Sequence, residues 1–297
     1  MLRRLFYLLS GFVLLTGCID VVETDIIEIE EKVYISSFIS PENDSLTVNI
    51  SRTLPALGLE FDLNVPDDNI MQFLIRDADV RVFDSSGNSV FLPFQENNLK
   101  YSQSANEFPI LPGETYELEV LIDGRVYTAS CTIPMGNVEA IQEEINIMDN
   151  EFGGREYTLN FGFNDILNGD NFYYLGAFLN IDDEFDPRRE LFFDLEAYQT
   201  DVLGDGTPLS ASSNFFPVFD FDVENDSVFL VEQELVLQVI NAEESLYQLL
   251  RNRYLNDLNE FNPFIELAIE PNNINGNGGT GLFAGYRYFE KRIPLAE

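Results

Sequence analysis

The chain reads as a mainly β protein: an immunoglobulin-like β-sandwich over residues 32–134, then a β-rich domain at 135–297 with one amphipathic helix. Three observations predict this. Apolar and polar residues alternate with period two along most of the sequence, the pattern of half-buried strands. Turn residues recur between those runs at short intervals. A single stretch in the second half changes to helical spacing. A length of 297 residues suggests two domains, and Pro134-Met135-Gly136 supplies the boundary.

The sandwich elements follow in order. DADVRVFDSSGNSVFL reads as strand, turn, strand, with Ser85, Ser86, Gly87 and Asn88 turning the chain. LPGETY sets a Pro-Gly turn before TYELEVLI, whose Tyr116, Leu118, Val120 and Ile122 share one face while Glu117 and Glu119 take the other. LIDGRVY contains a tight Asp-Gly hairpin. Cys131 in YTASCTIP is expected to be a buried strand thiol.

In the second half, REYTLNFGF and NFYYLGAFLNI read as strands around the polar turn NDILNGDN. In PVFDFDVENDSVFLVEQELVLQVI, Asp220, Asp222 and Glu224 alternate with Phe219, Phe221 and Val223, a solvated face or a guarded sheet edge. The helix spans about 242–261: Asn241 is a fair N-cap, Glu243 and Glu244 suit the first turn, and Pro263 ends it. Leu246, Leu249, Leu250, Tyr254, Leu258 and Phe261 fall on one face, expected to be turned to the core.

The front of the chain has a different logic. MLRRLFYLLSGFVLLTGC places Arg3 and Arg4 before an apolar run from Leu5 to Leu15, then Leu-Thr-Gly-Cys. This reads as a signal peptide over residues 1–17 ending in a stretch that resembles the bacterial lipobox, with Cys18 the expected lipidation site and an ordinary secretory signal the alternative. Each buried acyl CH₂ contributes about 0.8 kcal/mol, so several chains on one sulfur hold a domain at a membrane. Residues 18–31 then form a polar tether. The expected location is the outer membrane, facing either the periplasm or the surface.

Charge and composition narrow the function. Net charge moves from −36 to −38 when residues 1–17 leave, because Arg3 and Arg4 go with them and no acid does. Such a body is an unsuitable partner for nucleic acid, whose phosphates need a basic face. With no histidine there is no Ser-His or Cys-His pair and no His metal ligand. A carboxylate pair of the glycosidase kind remains available, but among 52 acids such proximity arises by chance.

Two further patterns bear on ligands. Gly276, Gly278 and Gly281 spell GxGxxG, yet GLFAGYRYFEKRIPL after them reads as strand, whereas a dinucleotide fingerprint opens a helix. No nucleotide and no cofactor is therefore expected. Calcium is the inorganic ligand that acidic turns could hold, through Asn164, Asp165, Asn168, Asp170 and Asn171 with Asp201 and Asp205. The same side chains commonly cap their own turns. Tyr173 and Tyr174 could line a cleft or pack a core.

VYISSFISPENDSLTVNISRTLP, DADVRVFDSSG, LPGETYELEV, YTASCTIP, ESLYQLL, NPF and NNINGNGGTGLFAGY occur in that order after the lipobox. In this arrangement the chain resembles the Bacteroidota lipoprotein family catalogued as domain of unknown function 4249. The resemblance implies an outer-membrane lipoprotein with an immunoglobulin-like first domain, of a kind often encoded beside TonB-dependent receptors, and it brings no catalytic residues. The expected function is thus a non-catalytic binding or accessory subunit partnering a TonB-dependent transporter. The alternatives are a surface lipoprotein capturing glycan or peptide, and a carboxylate-based hydrolase.

Overall fold

The computed structural model describes residues 31–53, 71–149, 155–181, 188–214, 216–217, 220–222, 227–229, 233–262 and 264–295. Cys18, the signal peptide and the tether up to residue 30 lie outside them. The protein is mainly β, with one α-helix among the described residues.

The first half supplies β1 (Val33–Ile39), β2 (Ser45–Arg52), β3 (Asp79–Phe83), β4 (Ser89–Phe91), β5 (Phe94–Gln95), β6 (Lys100–Ser104), β7 (Thr115–Ile122) and β8 (Arg125–Thr132). They form two layers, β1-β2-β6-β5 and β4-β3-β7-β8. One core joins them, with Ile35, Val48 and Ile50 from the first layer and Val80, Val82, Leu118 and Val120 from the second. β7 has the expected alternation: Tyr116, Leu118, Val120 and Ile122 are buried, and Glu117 and Glu119 are exposed. The Tyr116 hydroxyl accepts a hydrogen bond from Leu111 N at 2.7 Å, a tyrosine corner that fixes the chain's entry into β7. Cys131 is buried and free, as a strand thiol should be.

The second half supplies β9 (Gln142–Asp149), β10 (Arg155–Asn164), β11 (Phe172–Ile181), β12 (Arg188–Leu191), β13 (Tyr198–Thr200), β14 (Pro208–Ser212), β15 (Phe216–Pro217), β16 (Asp220–Asp222), β17 (Ser227–Phe229) and β18 (Gln233–Ala242). Then come helix α1 (Glu244–Asn259) and β19 (Gly279–Leu295). β9 and β14 flank β10, and this layer covers β12-β11-β18-β19. Leu159, Phe161 and Phe163 of β10 meet Leu175 and Leu179 of β11 and Leu235, Leu237 and Val239 of β18. Asp220 and Asp222 fall in the short β16–β17 pair, and Glu224 lies outside the described residues.

β19 unites the two halves. Its first seven residues, Gly279 to Gly285, run parallel to β1, and Tyr286 to Leu295 run antiparallel to β18. One sheet therefore continues through both cores. Ile133 belongs to the first core and Val138 to the second, yet Ile274 and Phe283 from the far end of the chain pack in the first.

The helix departs from expectation at both ends. Asn241 does not cap it. The β11–β18–β19 ladder continues through Ala242, so Asn241 is held in the strand, where its buried amide donates to Gly136 O at 3.1 Å. Glu243 takes the cap position, and its carboxylate instead accepts from Thr132 N at 3.2 Å and Gly285 N at 3.1 Å. The expected apolar stripe also divides. Leu246 and Leu249 pack on Ala242, Leu282 and Ala284, while Leu258 and Phe261 face solvent. Among the described residues the sheet packs against Leu246 and Leu249 in the first turns of α1, and Leu258 beyond them is 64% exposed.

Candidate interaction surface

The structure brings the two acidic turns together. Asp165 is buried and accepts from the Tyr173 hydroxyl at 2.7 Å and from Gly206 N at 2.8 Å. Asp205 accepts from Asn168 N at 3.0 Å, and Asp201 from Asn171 N at 3.3 Å. The Asn171 amide donates to Ile166 O and Gly169 O. These side chains brace one turn against the other, the work Asx residues commonly do. Asp170 and Asn164 are exposed and remain outside this network. Among the described residues no three His, Cys, Asp or Glu side chains converge as metal ligands would.

The aromatic pair separates as alternation demands. Tyr173 points into the second core, where burial, followed by its bond to Asp165, pushes its hydroxyl far above the usual tyrosine range. Tyr174 takes the opposite face and packs on Tyr198, which in turn touches Tyr247 and Tyr254 of α1. This ring cluster joins helix to sheet.

The glycine-rich segment closes the side of the first sandwich. Asn275 and Thr128 exchange two backbone hydrogen bonds at the β8 edge, and four residues later the chain joins β1 in the opposite layer. Asn273 secures the crossing: its amide donates to Ser130 O and Phe283 O, and its carbonyl accepts from Phe283 N. At Gly281, with φ +121°, an added Cβ would stand 2.0 Å from Ile35 O. Glycine here permits backbone to lie against backbone, and the motif opens a strand.

A third feature is exposed. Past the covered part of α1, Leu258, Phe261, Phe264, Ile265, Leu267 and Ile269 all reach solvent, with Phe261, Phe264 and Ile269 at 90%, 95% and 87% exposure. An aromatic side chain covers about 150–250 Å², so the two phenylalanines alone hold out roughly 300 Å². That approaches the largest apolar patch of an ordinary monomer, about 300–600 Å². The end of this segment is fastened to the helix. Asn256 of α1 both donates to Ala268 O at 2.9 Å and accepts from Ala268 N at 2.7 Å. Asn252 donates to Ile269 O at 2.9 Å, and Arg253 grips both oxygens of Glu270 at 2.9 and 3.1 Å. The polar face of the helix thus holds residues 268–270, while the apolar side chains before them reach solvent.

A family model with the description "Domain of unknown function (DUF4249)" matches residues 19–292. The chain belongs to the DUF4249 family. No curated protein matches this DUF4249 chain. Among solved structures, the β-glucosidase DesR from Streptomyces venezuelae, in complex with D-glucose, is 14% identical over 34% of this chain and 13% of its own, with a TM-score of 0.19. The BSP domain of a biofilm associated protein is 8% identical over 88% of this chain and 58% of its own, with a TM-score of 0.16. The DUF4249 chain therefore spans less than two thirds of either structure, and scores this low carry no argument about it.

Sequence reasoning missed the exposed segment of the DUF4249 chain. Leu258 and Phe261 continue the helical stripe and so read as core, and residues 264–270, FIELAIE, received no assignment. A signal was present: that run is mostly apolar, its two acids stand four residues apart, and it contains no charge of positive sign.

Proposed function

We propose that this protein is a bacterial outer-membrane lipoprotein of the Bacteroidota type, held by lipid on Cys18, that serves as a non-catalytic binding or accessory subunit for a TonB-dependent transporter. The observation that carries the reading is the exposure of Leu258, Phe261, Phe264 and Ile269, since an acidic body gains nothing from displaying Phe261 and Phe264 unless another surface covers them. The lipobox and the family membership support the same reading. Tyr173 and Tyr174, which a glycan-capturing cleft would use, are engaged in packing instead.

The test is affinity purification of the full-length chain from gently solubilised membranes. A transporter recovered in stoichiometric amount, and lost when Cys18→Ser removes the anchor, is the expected result. A lipoprotein that elutes alone overturns the proposal.

A further inference from the structure

The exposed segment also defines what its partner must look like and where it must sit, an inference that rests on the accessory role proposed above. Position comes first. Glu270 is clasped by Arg253, and the same guanidinium donates to the Tyr34 hydroxyl at 3.1 Å. Tyr34 is the second residue of β1, immediately after the tether. From Cys18 to residue 31 is thirteen residues, a reach of at most about 45 Å at full extension. Glu270, at the end of the apolar segment, therefore lies beside the start of β1, the end of the body from which the tether leaves.

Charge then selects among the possible occupants. Asp257, Glu260 and Glu266 stand exposed among the apolar side chains. Elements that enter a bilayer surface carry Lys and Arg to meet anionic headgroups, and a carboxylate rim is repelled there. A second copy would bring the same carboxylates and the same strongly negative body, so self-association is opposed. An apolar cleft bordered by Lys or Arg meets both demands. Side chains of α1 already order the backbone of residues 268–270, which lowers the conformational entropy that docking there costs. Phe261 and Phe264 have the size and rigidity of interface anchors.

We infer that the exposed side chains of Leu258, Phe261, Phe264, Ile265, Leu267 and Ile269 are a docking element for a membrane-embedded protein, one that presents an apolar cleft with a basic rim close to the bilayer.

The experiment places a photo-crosslinking phenylalanine analogue at Phe264 of the full-length chain in its own cells, with the same analogue at exposed Phe91 in β4 as control. The expected result is a light-dependent adduct from position 264 with one membrane-embedded protein, absent from position 91, whose crosslinked peptide contains Lys or Arg. Glu260→Lys combined with Glu266→Lys should cut its yield at least fivefold, as should Phe261→Ser. Adducts to phospholipid, adducts to a second copy of this chain, or equal yield from both positions overturn the inference. The two readings fail separately. A chain that purifies with no partner removes the accessory role, whereas a partner retained at the wild-type level by these variants removes only the docking assignment.

Discussion

The ion pair between Glu42 and Arg287 offers the sharpest test of how the two cores are joined. Arg287 follows the point where β19 leaves β1 for β18, and Glu42 lies in the turn between β1 and β2. Arg287 Nε and Nη2 both donate to Glu42 Oε1, at 2.8 and 2.7 Å, and Nη1 donates to Met135 O at 3.0 Å. The side chains are only 16% and 23% exposed. Breaking a fully buried pair by removing one partner costs about 3–5 kcal/mol. Here Glu42 keeps the Ser40 hydroxyl as a donor at 2.6 Å and some water, so Arg287→Met should cost about 2–4 kcal/mol. Urea unfolding followed by near-ultraviolet circular dichroism, on Arg287→Met, Glu42→Gln and the double variant, measures the coupling. It should be about 1.5–2.5 kcal/mol and change little between low and high salt, because a pair this enclosed is weakly screened. Loss of the pair should also split unfolding into two transitions as the cores part company. A coupling below about 0.5 kcal/mol, the scatter between independent sites, would refute the reasoning.

Further outcomes follow from single features. Tyr173→Phe removes the donor to Asp165 and the acceptor for Ile166 N, and should cost about 2–3 kcal/mol in the same urea assay. Gly281→Ala, forced against Ile35 O, should abolish folding or cost more than about 3 kcal/mol, while Gly278→Ala, with open space around it, should cost about 1 kcal/mol; circular dichroism of the purified variants decides. Thiol titration should find none reactive in the native mature protein, because Cys131 is buried and its thiol pushed up by burial, and one after denaturation; two would show Cys18 unmodified. Burial, opposed by the Gly285 and Thr132 amides, raises Glu243 above its ordinary 4.5, so the folded state binds more protons as pH falls through the raised value. Relative to a non-titrating Glu243→Gln, the wild type should therefore gain stability between pH 7 and pH 4.5, and a gain in the opposite direction would contradict this.

What could be read from the sequence was local. The alternation of Tyr116 to Ile122, the Asp123-Gly124 hairpin and the strand that follows Gly281 each depend on neighbours within a few residues, and each is found where expected. What escaped depends on distant partners. Asn241 is a good cap in isolation, but a ladder with Tyr173 and Arg287 on either side holds it in a strand. Phe283 belongs to the first core because β19 pairs with β1 across more than two hundred residues, and nothing in either segment announces the other. Asp165 and Asp205 looked like cation ligands because their turns are acidic, and only the fold shows backbone amides of the opposite turn occupying them. Leu258 and Phe261 obey the helical period, and their exposure follows from how far the sheet beneath them extends.

The path of β19 has a consequence for how this chain matures. A polypeptide is synthesised amino end first, so β1 arrives long before its parallel neighbour. Until Gly279–Gly285 appear, that strand offers unpaired amides and carbonyls along one side, and the layer behind it lacks Phe283. Contacts so far apart in sequence form slowly and leave sticky intermediates exposed to proteases and to one another. Synthesis must therefore finish before either half is whole, and any product that loses its last twenty residues forfeits the integrity of its beginning as well.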